Sequence, residues 1–103
     1  MAKDERLAFV YNEKAAQQGH ATSQYNTGIA YRDGVGCEQS YERAAEWYER
    51  AAHLNDKQGQ FALGRCYLLG KGRPLDQKRG IALLKKSVAQ RFAPAMTTLG
   101  ECF

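Results

Sequence analysis

A shift of 36 residues lays this chain onto itself without an insertion or deletion, and that limits the fold more than any other feature. Gly28, Gly64 and Gly100 fall in register, as do Tyr31, Tyr67 and Phe103, Gly34 with Gly70, and Gly36 with Gly72. The same offset carries Ala15-Ala16 onto Ala51-Ala52 and then Ser87-Val88. It also groups Tyr11 with Trp47 and Leu83, and Asp4 with Ser40 and Asp76. A period of this length marks a repeat architecture, in which one supersecondary unit cannot bury its own apolar face and must stack on its neighbours.

Each period reads as two helices. The first type, Ala21 to Asp33, Lys57 to Leu69 and Ala93 onward, places small or apolar residues at helical spacing: Ser23, Thr27, Ala30 and Tyr31, then Gly59, Leu63, Cys66 and Tyr67. It stops at Gly34 or Gly70, where glycine takes the left-handed cap conformation. The second type starts behind Asp4, Ser40 or Asp76, whose side chains accept from free N–H groups at a helix start. Within it, ERAAEWYERAA (Glu42 to Ala52) puts Ala44, Trp47, Tyr48 and Ala51 on one face. Glu42, Arg43, Glu46, Glu49 and Arg50 point largely elsewhere, with Glu46 and Arg50 spaced as an i,i+4 pair. The apolar seam ends at Asn55 and Gly59, too soon for a coiled coil. The units are therefore a second-type helix at 4–18, repeats at 21–56 and 57–92, and a partial repeat at 93–103.

A chain of 103 residues has room for one domain. It holds no apolar run long enough to span a membrane, and MAKDERLAFVYNEKAA has neither the apolar core nor the small-residue cleavage site of a secretory signal. Cys37, Cys66 and Cys102 form no C-x-x-C pair and leave at least one thiol free, so a cytoplasmic, reducing location is expected. Charge is uneven: residues 1–56 hold six Lys/Arg against nine Asp/Glu, and residues 57–103 hold nine against two. Lys71, Arg73, Lys78, Arg79, Lys85 and Lys86 therefore offer an alternative reading, binding of nucleic acid or another anionic surface. Lacking interleaved aromatics, the cluster reads first as a solvated face.

The motifs YNTGIAYRDGVG (Tyr25–Gly36), SYERAAEWYERAA (Ser40–Ala52), FALGRCYLLGKG (Phe61–Gly72) and DQKRGIALLKKSV (Asp76–Val88) resemble the Sel-one-like repeat family, a branch of the tetratricopeptide superfamily. The resemblance implies an all-α, right-handed α-solenoid of antiparallel helix hairpins with about six helices. It implies work as a non-catalytic scaffold or adaptor for a protein or peptide partner. Thr27 departs from the usual leucine, Gly80 from alanine and Leu83-Leu84 from the aromatic pair. The paired cysteines of disulfide-rich bacterial members are absent. The chain starts at a second-type helix and ends before the expected glycine, which reads as an excerpt of a longer array whose uncapped ends stack end to end.

In the superfamily the first-type helices line the concave side. Positions opposite Thr27/Tyr31 and Leu63/Tyr67 are Thr22, Tyr25, Ile29 and Arg32, then Gln58, Phe61, Arg65 and Leu68, then Thr97 and Glu101. Aromatic anchors beside arginines suit a peptide segment with apolar and acidic groups. Tyr25 and Phe61 are equally readable as inter-repeat packing. The two Gly-x-Gly turns follow helices, lack a third glycine and read as structural. His20 and His53 read as surface or capping residues, so no metal, cofactor or catalytic group is expected. Cys66 and Cys102 read as inert core thiols, and Cys37 as a more exposed one able to crosslink copies.

Overall fold

The computed structural model describes residues 3–101 as six α-helices: α1 (Lys3–Gln17), α2 (Ala21–Asp33), α3 (Tyr41–His53), α4 (Lys57–Leu69), α5 (Gln77–Ala89) and α6 (Ala93–Glu101). There is no strand among the described residues, and no helix there is long and apolar enough to cross a membrane. Cys102 and Phe103 lie outside the described residues. Each helix packs chiefly on its neighbours in sequence, with α2 also meeting α4, and the stack measures 43 × 23 × 19 Å. Nearest-neighbour stacking of this kind is the architecture of an all-α helical solenoid.

Turn chemistry fixes the hairpins. Gly34 and Gly70 adopt φ of 69° and 66° and donate back to the carbonyls of Ala30 and Cys66, closing α2 and α4. Gly36 and Gly72 also have positive φ, 79° and 77°. A Cβ on Gly36 would lie 2.8 Å from the Phe9 Cβ and run into the Glu5 carbonyl, and one on Gly72 would lie 2.7 Å from the Tyr41 carbonyl carbon. The second glycine of each Gly-x-Gly thus lets the loop lie against the first turns of the preceding second-type helix. The chain then returns to α2 or α4, where Ser40 N–H donates to the Tyr31 carbonyl at 2.8 Å and Asp76 N–H to that of Tyr67 at 2.9 Å. Ser40 and Asp76 cap the next helix by accepting from Arg43 and Arg79 N–H, each at 3.2 Å. Asp4 does not follow them. It lies inside the first turn of α1, where a carboxylate still complements the helix dipole.

One apolar cluster runs through the stack, with Ala16, Tyr31, Ala44, Ala45, Trp47, Tyr48, Ala62, Leu63 and Tyr67 buried in it. Small residues set the helix spacing. A Cβ at Gly28 would fall 2.5 Å from the Tyr48 ring, and one at Gly64 would fall 3.0 Å from the Gly80 carbonyl. Gly80, where alanine is usual, is compensated by Leu68, whose Cγ lies 2.7 Å from where the missing methyl would sit. Thr27 is buried, and its hydroxyl is satisfied by the Ser23 carbonyl at 2.8 Å. The Arg43 guanidinium stacks over Tyr31 at 5.7 Å, and Arg79 stacks over Tyr67 at 5.8 Å in the next repeat. Arg50 does not pair with Glu46. Its guanidinium lies 4.5 Å from the Trp47 ring centre, because an indole face offers a better-placed partner than a mobile surface carboxylate.

Candidate binding groove

The side chains of α2 and α4 that point away from the core stripe meet over the N-terminal half of α3. They enclose a groove of about 320 Å³. Its walls carry Tyr25 and Arg32 from α2 and Phe61, Arg65, Cys66 and Leu69 from α4. Ala44 and Tyr48 lie behind, and Gln39, Tyr41 and Lys71 close the loop end. Tyr25 and Phe61 are 36 positions apart, so the repeat itself sets two aromatic rings along the groove.

Both rings are anchored. Tyr25 packs on Tyr48, with ring centres 5.9 Å apart, and Phe61 meets Phe92 edge-on at 5.4 Å. They are half-buried, and these ring contacts lie within each repeat rather than between repeats, so packing and lining of the groove fall on the same side chains. Arg65 lies over Phe61 at 5.6 Å and Lys71 over Tyr41 at 5.3 Å. Among the described residues neither cation has a carboxylate within ion-pair distance. Arg32 forks onto its neighbour Asp33, with Nε and Nη2 donating at 2.9 and 3.0 Å. That contact raises the Arg32 pKa and lowers that of Asp33. Burial pushes the Cys66 thiol up despite Arg73, Arg65 and Arg32 nearby, so it stays protonated. Tyr48, 2% exposed, is pushed well above the usual phenol range by burial, and its hydroxyl has no hydrogen-bond partner.

The groove therefore unites four of the sequence candidates: Tyr25, Arg32, Phe61 and Arg65. Ile29 packs against the core cluster and Leu68 against α5. Thr22 is exposed and Gln58 half-buried, both outside the groove lining. Thr97, whose hydroxyl donates to Ala93, and Glu101 are exposed on α6, beyond the groove. Sequence reasoning missed Tyr41, Tyr48 and Cys66, because they read as core or loop positions, and it named Lys71 only in the alternative, anion-binding reading. The signal available for Tyr48 was its phenol, a polar tip on a buried stripe where Leu84 stands one repeat later. Cys37 is half-buried beside the core cluster but less enclosed than Cys66, its Sγ–H is directed at the Val35 carbonyl at 3.8 Å, and burial raises its pKa. His20 occupies the α2 N-cap position without a side-chain bond, and His53 ends α3; both are exposed.

The basic residues of the second half border more than one feature. Lys71 borders this groove, whereas Arg79 and Lys86 border a second, wider cleft with His53, Gln60 and Gln90. Arg73 pairs with Glu49 at 3.6 Å, and Arg79 with Asp76 at 3.7 Å.

Comparison with known proteins agrees with this architecture. The chain is 42% identical over 55 residues to the chitin synthase regulator SKT5 of Saccharomyces cerevisiae, covering 53% of this chain and 8% of that protein. It is 36% identical over 63 residues to the ERAD-associated E3 ubiquitin-protein ligase component HRD3A of Arabidopsis thaliana, covering 61% and 9%. The chain thus spans less than a tenth of the length of either relative. A Sel1 repeat protein from Oxalobacter formigenes superposes with a TM-score of 0.90 at 28% identity, over 95% of this chain and 29% of that one. The Sel1 repeat model matches residues 1–20, 21–56 and 57–91, and the chain belongs to the Sel1 repeat family.

Proposed function

We propose that the chain is a non-catalytic protein-interaction scaffold that holds a segment of a partner protein in the groove between α2 and α4. The observation that carries this is the pairing of in-register aromatic rings, Tyr25 and Phe61, with cations that have no carboxylate partner among the described residues, Arg65 and Lys71. Half-buried aromatics give contact area at low entropic cost, and arginine adds directional donors; both are enriched where proteins bind one another. The similar proteins are named as a regulator and as a ligase component, names that suit a part working within an assembly. In the test, Phe61→Ala combined with Arg65→Ala is compared with the parent chain for capture of proteins from the source cells. Loss of the captured set at unchanged helical circular dichroism is expected. Equal capture by both chains removes the groove as the binding site.

A further inference from the structure

We infer that the groove takes the carboxylate of an acidic peptide side chain, with the residue beside it packing on Tyr25 and Phe61; this rests on the scaffold reading above. The groove is rich in donors and short of acceptors. Arg32, Arg65 and Lys71 stand against a single carboxylate, Asp33, while the phenols of Tyr25, Tyr41 and Tyr48 and the Cys66 thiol add further X–H groups. The one amide, Gln39, has its N–H donors turned away to the Arg32 carbonyl at 2.8 Å.

Three observations select a carboxylate. First, Asp33 already shows the geometry, with two oxygens in the plane of the Arg32 guanidinium at 2.9 and 3.0 Å. The two side chains are 43% and 46% exposed, and exposed pairs of this kind hold weakly, so Arg32 can exchange Asp33 for an incoming carboxylate. Second, Arg65 and Lys71 are positioned by aromatic rings, which leaves their N–H edges free for an anion. Third, among the described residues the Tyr48 hydroxyl is buried without an acceptor, with Arg32, Cys66, Tyr25 and Asp33 as its titratable neighbours, the Asp33 carboxylate being held by Arg32 instead. A side-chain oxygen drawn in as Arg32 shifts would give it one. A neutral amide would bring its own donors into a donor-lined site and leave the excess positive charge unmatched.

The test uses end-capped peptides, so that the only anion is on a side chain. Acetyl-Gly-Glu-Phe-Gly-amide, its glutamine analogue and its phosphoserine analogue are titrated into the labelled full chain and followed by NMR. Saturable shifts at Tyr25, Arg32, Cys66 and Lys71 are expected, with glutamate preferred over glutamine by about tenfold, the usual worth of one charge-assisted hydrogen bond. Tyr48→Phe removes one oxygen and should cut that preference by about threefold or more, the range for loss of an ordinary hydrogen bond. A structural role alone would leave the preference unchanged. Equal binding of glutamate and glutamine peptides, shifts confined to α5 and α6, or a phosphoserine peptide bound more than about tenfold tighter than glutamate overturns the assignment. Failure here with partner capture still dependent on Phe61 and Arg65 leaves the scaffold reading standing. Capture independent of those residues removes that reading whatever the peptides do.

Discussion

Replacing Leu54 with glutamine should stabilise this protein, although it swaps an apolar residue for a polar one. The repeat supplies the reason. Gln24 and Gln60 are equivalent and almost fully buried, 5% and 2% exposed, but their amides are served differently. Gln60 Nε2 donates to the Asn55 carboxamide oxygen at 2.9 Å, and its Oε1 accepts from Gln90 Nε2 at 2.9 Å. Gln24 Nε2 donates to the Ala16 carbonyl at 3.1 Å, and its Oε1 has no partner. Position 54 corresponds to Gln90, and the backbone is already the same: φ −87° and ψ 13° at Leu54, φ −92° and ψ 13° at Gln90.

A glutamine at position 54 can therefore repeat what Gln90 does, donating to Gln24 Oε1 and to the Gly19 carbonyl as Gln90 donates to that of Asn55 at 2.8 Å. Relieving a buried orphan acceptor is worth about 1–3 kcal/mol. Leu54 is 52% exposed, so the apolar burial lost is roughly half of a leucine's, about 1 kcal/mol. The net gain expected is about 1 kcal/mol, read as a rise in Tm of about 4–8 °C for a domain of this size. Urea unfolding gives the free energy independently. Repeating Leu54→Gln on a Gln24→Met background isolates the coupling, and the gain should vanish there. The same gain in both backgrounds, or none in the parent chain, refutes the reasoning.

Arg91 carries φ 60° at the position where Gly19 has 95° and Asn55 has 63°. Arg91→Asn should therefore raise stability by about 0.5–1 kcal/mol, since asparagine tolerates the left-handed region better than a long side chain does; thermal unfolding checks it. Gly28→Ala should destabilise by about 1–2 kcal/mol, because a methyl 2.5 Å from the Tyr48 ring overpacks the α2–α3 crossing by more than the added helix propensity returns. The equivalent Gly100→Ala, with nothing within 4 Å, should be neutral or gain a few tenths of a kcal/mol. Urea unfolding of the two variants side by side should give the opposite signs.

The fold was legible because the repeat demands the same few things of each copy. Residues 21–56 and 57–92 share six identities, and each has a physical duty. Gly28 and Gly64 admit the next helix, Gly34 and Gly70 end one, and Gly36 and Gly72 let the loop dock. Tyr31 with Arg43 and Tyr67 with Arg79 make the same cation–π contact twice, and Gln24 and Gln60 tie the hairpin turns. Periodicity exposes obligations that recur. It is silent about contacts that occur once, which is why Arg50 on Trp47 and the packing of Cys37 were not foreseen.

The groove is of that second kind. Tyr25 and Phe61 recur and were legible. The residues that give the groove its chemistry do not recur: Arg32 and Arg65, legible from the helix face and not from the repeat, face Leu68 and Ile29 in the repeat register, and Lys71 faces Val35. Leu68 and Ile29 serve packing in their own copies, so the scaffold tolerates either an apolar or a cationic side chain at these positions. Where it tolerates both, packing does not dictate charge, and three cations gathered around one groove call for a reason outside the fold. Tyr48 points the same way from beneath. Its equivalent, Leu84, fills the core with no polar atom to satisfy, so the Tyr48 hydroxyl, orphaned under the cationic rim, adds nothing that packing requires. Unlike the Gln24 oxygen, which lies at a hairpin turn away from the groove lining, the Tyr48 hydroxyl is unmatched beneath cations that could bring it an acceptor, and this supports the proposed reading of the groove as a binding site.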